Sequence, residues 1–142
     1  MPAGGDRRAW PWSPRELVLG GSAAPPRSFL YGQVSLYSKS HKHQCGGTVV
    51  ASDMVLTAAH CRDFFNTTEV GKHNKDDPNN REQLQIFTSL EKIPHPKYEE
   101  EMYRFDVMLV KLDRQIEDVE PVRLNSIHRV PMHPSVLTLI GW

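Results

Sequence analysis

The sequence lacks an excess of charge of either sign, because 17 Lys and Arg residues balance 17 Asp and Glu residues among 142 residues. A nucleic-acid-binding protein usually carries a basic excess, so this balance argues against a nucleic-acid partner. No apolar run approaches the ~18 residues of a membrane-spanning helix, so no membrane partner is expected either. What remains is a chain long enough for one domain, with 39% hydrophobic residues to build its core.

The sequence also lacks a convincing helical periodicity. Short stretches with strand character stand in its place, separated by turn residues, at residues 33–37, 48–51, 54–57, 84–93, 107–112, 121–124 and 136–140. We therefore predict an all-β sandwich or barrel. Residues 58–61 are long enough for one helical turn. The first 17 residues hold three of the eleven prolines and are predicted to form an irregular lead-in or propeptide-like segment.

Cysteine is scarce, and its two residues, Cys45 and Cys61, leave two possibilities open. They are either reduced, buried thiols or a single disulfide that closes a modest loop. The start of the chain lacks the roughly 7–15 apolar residues of a secretory signal peptide, so we expect no export signal in this sequence. Asn66 opens an Asn-Thr-Thr glycosylation sequon, a candidate site only outside the cytosol.

A histidine and an aspartate stand at the ends of two apolar stretches. His60 lies in the string Thr57-Ala58-Ala59-His60-Cys61, and Asp106 directly precedes residues 107–112. A partly buried carboxylate that accepts a hydrogen bond from a histidine ring fixes the tautomer and stabilises the imidazolium. Such a pair supplies two of the three groups of a catalytic arrangement in which a carboxylate stabilises the charged form of a general base. Taken singly, however, a histidine is more often a surface or core residue, and an aspartate before a strand is usually a turn residue or cap.

Taken together, several segments resemble the trypsin/chymotrypsin-like serine proteases. The segments are Val18-Leu19-Gly20-Gly21, Gln33-Val34-Ser35-Leu36, Cys45-Gly46-Gly47-Thr48, Thr57-Ala58-Ala59-His60-Cys61, residues 106–112 and Gly141-Trp142. The resemblance covers residues 18–142. It implies one six-stranded antiparallel Greek-key barrel, the first of the two barrels of that fold, and hence an incomplete protease domain over residues 18–142. It further implies a secreted serine endopeptidase that acts on protein or peptide substrates, although the chain shows no signal peptide.

The resemblance also assigns roles to individual residues. It makes His60 the general base and then the general acid, with Asp106 as its buried partner. It pairs Cys45 with Cys61 in a disulfide beside that histidine. It makes Val18 the residue that becomes the new N-terminus when the zymogen is cleaved.

The sequence departs from the family pattern at the nucleophile. The family serine lies in a Gly-Asp-Ser-Gly-Gly motif, whereas Ser126 and Ser135 lack such glycines. We expect the oxyanion hole and the specificity pocket to be missing from residues 1–142 as well. We expect a truncated, inactive fragment or, alternatively, a non-catalytic protease-like module that binds a partner. A lone barrel would expose its inter-barrel face, through which association is expected. No cofactor is expected. No metal is expected either, because Lys72 replaces an acidic residue of the family's calcium loop.

Overall fold

The computed structural model describes residues 32–71, 84–129, 131–137 and 140–141. These residues form an all-β structure whose strands follow one another as β1 (Gln33–Tyr37), β2 (His43–Ala51), β3 (Met54–Thr57), β4 (Thr67–Val70), β5 (Gln85–Pro94) and β6 (Met108–Leu112). One 3-10 turn, Ala59–Cys61, lies between β3 and β4.

The six strands close into an antiparallel barrel with the order β1-β2-β3-β6-β5-β4. β4 returns to pair with β1 while β3 pairs with β6, so the first four strands have the spatial order of a Greek key. The predicted six-stranded Greek-key barrel is therefore confirmed. Because β3 and β6 are neighbours, the chain that follows β3 and the chain that precedes β6 emerge side by side at one end of the barrel. That end carries the two residues singled out by the sequence.

Alternating side chains of the strands fill the barrel. Fully buried residues come from every strand and from the turn after β3, among them Val34, Leu36, Val49, Val55, Phe65, Phe87 and Val110. Gly47 marks the tightest point of β2. A Cβ atom there would lie 2.8 Å from Val55 Cγ1 and 3.1 Å from the Leu56 carbonyl oxygen, so the close packing of β2 on β3 requires glycine.

The strand predictions are confirmed for β1, the β2–β3 hairpin, β5 and β6. Two further predictions are wrong, because residues 121–124 and the described residues of 136–140 lie outside the strands. The barrel closes without them, which leaves no strand edge for them to extend. Val122 contacts the barrel through its N–H, which donates to the carbonyl of Val49 on β2. β4 was not predicted, although Thr67, Thr68 and Val70 are β-branched.

Some predicted features lie outside the described residues. They are the lead-in of residues 1–17, the new N-terminus at Val18, Lys72 of the calcium loop that the resemblance implies, and Trp142. Within the residues that the structure describes, none of the helical segments has the length and apolarity needed to cross a bilayer.

Candidate functional site

Cys45 and Cys61 form a disulfide, as the resemblance implied. Cys45 lies on β2, where it pairs with Leu36 of β1, and Cys61 ends the 3-10 turn with 2% of its surface exposed. The two Cα atoms are 6.4 Å apart. The bridge therefore ties the turn that contains His60 to the wall of the barrel.

His60 and Asp106 meet at the end of the barrel where β3 leaves and β6 begins. Asp106 Oδ2 lies 2.7 Å from His60 Nδ1, and Oδ1 accepts the backbone N–H of His60 at 2.8 Å. The carboxylate thus fixes both the backbone and the ring of a residue 46 positions earlier in the chain. The structure brings together the two residues that the sequence singled out.

The surroundings of Asp106 favour its ionised form. Burial alone would raise the pKa of this carboxyl group. Hydrogen bonds from the His60 side chain and from the backbone N–H groups of His60 and Ala59 outweigh that effect, and the pKa falls below its ordinary value. Asp106 is accordingly a carboxylate at neutral pH, with 22% of its side chain exposed.

The exposed part of the pair is the histidine ring. Its side chain is 45% exposed, and within the described residues Asp106 is its hydrogen-bond partner. With Nδ1 engaged by the carboxylate, Nε2 is the ring atom that can accept or release a proton. The arrangement can therefore act as a general base with a stabilised conjugate acid.

Tyr103 is a neighbour of this pair that sequence reasoning missed. Its ring meets the His60 ring edge-on, with centroids 5.8 Å apart, and 64% of the residue is exposed. It belongs to the loop that joins β5 to β6, in which Phe105 stacks on His95 with ring centroids 5.0 Å apart. Tyr103 could have been identified from its position in the sequence, because it lies three residues before Asp106 in the loop that leads into β6.

The other candidate residues lie apart from the pair. Asn66 is exposed directly before β4, and its backbone is held by bonds to Tyr37 and Ser89. Ser126 and Ser135 are exposed in the irregular segment after β6. The Ser135 hydroxyl donates to the carbonyl of Met132. Among the described residues, Cys45, His60 and Cys61 cluster as ligand atoms, but their two sulfur atoms bond each other and so offer no metal site.

Comparison with known proteins places these features in one family. The sequence model of the Trypsin family matches residues 18–142. Human granzyme H is 32% identical over 137 residues, which cover 93% of this chain and 54% of the relative. Bovine duodenase-1 is 37% identical over 130 residues, which cover 88% and 51%.

A solved structure shows the same likeness. Neuropsin, described as a serine protease expressed in the limbic system of mouse brain, superimposes with a TM-score of 0.65 at 28% identity, over 74% of this chain and 47% of neuropsin. The chain thus spans about half the length of the curated relatives that it matches.

Proposed function

Because this chain belongs to the trypsin family of serine proteases, we propose that it carries the histidine and aspartate of a serine endopeptidase acting on protein or peptide substrates. His60 is the general base and then the general acid, and Asp106 is its carboxylate partner. The observation that carries the proposal is the 2.7 Å hydrogen bond between His60 Nδ1 and Asp106 Oδ2.

The geometry supports a specific sequence of proton transfers. With its Nδ1–H donated to Asp106, His60 takes the proton of a serine hydroxyl at Nε2 as that oxygen attacks the scissile carbonyl. The Asp106 carboxylate stabilises the imidazolium that forms. Nε2–H then gives the proton to the leaving amine, and the same cycle with water releases the acyl group.

In this proposal the serine, the oxyanion donors and the specificity pocket come from outside residues 1–142. Ser126 and Ser135 are exposed in an irregular segment and lack flanking glycines. We therefore expect residues 1–142 alone to show no hydrolysis of a fluorogenic peptide panel and no labelling by a serine-directed phosphonate. Hydrolysis that His60→Ala abolishes would overturn this expectation.

The endopeptidase activity itself is tested on the reading frame as it occurs in mature mRNA. Sequencing beyond the codon for Trp142, followed by expression of the frame as found, decides between two candidates. A frame that continues into a Gly-Asp-Ser-Gly-Gly motif should yield peptide hydrolysis that His60→Ala abolishes. A stop codon directly after Trp142 in abundant mRNA would instead favour the second candidate.

The second candidate is a non-catalytic protease-like module. Exposed apolar side chains in the irregular segment favour it, since Leu124, Ile127 and Leu137 are 60–70% exposed. Such side chains are typical of an association surface. We propose that the partner bound by these side chains is a second barrel of the same fold.

The proposal includes an oxidising, extracellular location. The Cys45–Cys61 disulfide persists in such a compartment and is rare in the cytosol. In this setting Val18 is the proposed N-terminus of the activated enzyme, and Asn66 the proposed glycosylation site. Electrophoresis of the native protein with and without reductant tests the location, because a protein isolated with both thiols free would contradict it.

A further inference from the structure

The ammonium group of Lys92 lies against the turn that follows His60. Its Nζ atom donates to the carbonyl oxygens of Arg62, at 2.6 Å, and Phe65, at 2.5 Å. It also lies 4.3 Å from the centroid of the Phe65 ring. One side chain from β5 thus holds both ends of residues 62–65.

The chemistry of the turn explains why a cation is held there. The backbone N–H groups of Cys61, Arg62 and Phe64 bond to the carbonyls of Ala58, Ala59 and Cys61. A helical turn leaves its last carbonyl groups without such partners, and a lysine near that end is a favourable donor to them. Lys92 supplies this donor from another strand.

The strand that carries Lys92 runs beside the strand that follows Asp106. Lys92 pairs with Val110 of β6, and Pro94 pairs with Met108. One residue further, the N–H of His95 bonds to the carbonyl of Val107, at 2.9 Å. Lys92 therefore connects the backbone after His60 to the strand pair that ends at Asp106.

The environment of Lys92 agrees with a held, partly dehydrated ammonium group. Burial lowers its pKa, opposed by the negative charge of Asp63 and reinforced by the positive charge of Arg62. A lysine exposed to water would instead keep its rotamer freedom.

We propose that Lys92 is a positioning residue for His60, which clamps residues 62–65 to β5 and so fixes the hydrogen bonds between His60 and Asp106. The proposal rests on the proposed catalytic roles of these two residues. It assigns Lys92 no contact with substrate. Its effect passes through the turn, because the backbone and the ring of His60 both bond the carboxylate that precedes β6.

The chain offers a matched control in Arg114. Its Nη2 atom donates to the carbonyl of Ile86 at 2.6 Å, and its guanidinium carbon lies 4.4 Å from the Phe87 ring centroid. Arg114 thus makes the same kinds of contact as Lys92 in the same barrel. Its partners, however, lie on strand β5, whereas those of Lys92 lie in the turn after His60. Lys92→Met and Arg114→Met in the 142-residue chain therefore remove similar interactions at different places.

Two signals report on the geometry of the pair. The first is the downfield proton NMR resonance of the hydrogen shared by His60 Nδ1 and Asp106 Oδ2. The second is the exchange rate of the His60 backbone amide. In Lys92→Met we expect the resonance to move upfield or vanish and the amide to exchange about tenfold faster, as for a weakened bond to a charged acceptor.

Arg114→Met should leave both signals at their wild-type values, and Lys92→Arg, which keeps the cation, should largely restore them. A folded Lys92→Met chain whose two signals match those of Arg114→Met would overturn the proposal. If Lys92→Met does not fold, Lys92→Gln is judged by the same criterion. Neither signal needs peptidase activity. Failure of the positioning role can therefore be distinguished from failure of the proposed endopeptidase function.

Discussion

Asp106 accepts two hydrogen bonds from His60, one from the ring at 2.7 Å and one from the backbone N–H at 2.8 Å. The second bond gives the carboxylate a structural role besides its proposed catalytic one. It joins the 3-10 turn after β3 to the start of β6, at the end of the barrel where these neighbouring strands meet. Loss of the negative charge is therefore expected to affect folding as well as chemistry.

The first expected outcome concerns pH. The folded-state pKa of Asp106 lies below its ordinary value of 3.8, so the unfolded chain binds more protons in this range and stability rises with pH. The contribution is fully present above the ordinary carboxyl value and is lost as the pH falls through the folded-state value. Urea unfolding at a series of acidic pH values measures it.

Asp106→Asn is the control for this pH dependence. The variant should be less stable at pH 6, because an amide leaves one of the two His60 donors poorly satisfied, at about 1–3 kcal/mol. Its free energy of unfolding should also fall less steeply in acid. Parallel pH profiles for the two proteins would show that other carboxyl groups dominate.

The second expected outcome concerns the disulfide. Cys45 and Cys61 are 16 residues apart, and a cross-link over such a loop stabilises a protein by about 3 kcal/mol in the chain-entropy model. The double variant Cys45→Ala/Cys61→Ala should therefore unfold at a markedly lower urea concentration. Reduced wild-type protein is the control and should approach the variant. An unchanged midpoint would refute a stabilising role for the bridge.

The third expected outcome concerns two adjacent glycines of β2. Gly47→Ala places a Cβ atom 2.8 Å from Val55 Cγ1 and should destabilise the barrel by about 1–3 kcal/mol, measured by urea unfolding. Gly46→Ala is the matched control. Among the described residues its Cβ atom would meet the Val34 carbonyl oxygen, at 3.9 Å, and the change should stay within about 0.5 kcal/mol. Equal losses would contradict the close packing of β2 on β3.

The fourth expected outcome concerns Asn66. Passage through a secretory pathway should yield a chain whose electrophoretic mobility rises on treatment with an N-glycosidase, because Asn66 is exposed before β4. Asn66→Gln should abolish the shift, while Thr67→Val, which changes the middle residue of the sequon, should keep it. A wild-type chain insensitive to the enzyme would rule the site out.

The sequence predicted most of the barrel because β1, β3 and β6 show the alternation or apolar runs of ordinary strands. It missed β4, since Glu69 is 1% exposed in the barrel, and a buried carboxylate breaks the apolar pattern by which such strands are found. Residues 121–124 and 136–140 have strand composition, but the structure gives residues 121–124 and the described part of 136–140 no strand edge to pair with. Composition alone does not reveal that a barrel has already closed.

The candidate site was predictable to a different extent. His60 and Asp106 were found through a motif resemblance, and the fold brings them together across 46 positions. The contact of Lys92 with Arg62 and Phe65 could not be foreseen, because it depends on which strand lies beside the turn and on how far a lysine side chain reaches. The same holds for Tyr103, whose place beside His60 is set by the path of a loop.

The last expected outcome concerns the irregular segment after β6. Leu124, Ile127 and Leu137 are 60–70% exposed, and burial of each leucine-sized side chain contributes roughly 1.5–3 kcal/mol. We expect residues 1–142 to self-associate, in the absence of a second barrel, when studied by sedimentation equilibrium. Glutamate at any one of the three positions should weaken the association at least about tenfold.

Leu90→Glu is the matched control for this surface. Leu90 is 64% exposed, like the three residues of the segment, but it lies on β5. A charge there should leave the association constant unchanged if the irregular segment forms the contact. An equal effect of Leu90→Glu would point to unspecific hydrophobic association, and a clean wild-type monomer at high concentration would contradict the proposed surface. The contrast between the irregular segment and β5 therefore separates a defined contact surface from general exposure of apolar side chains.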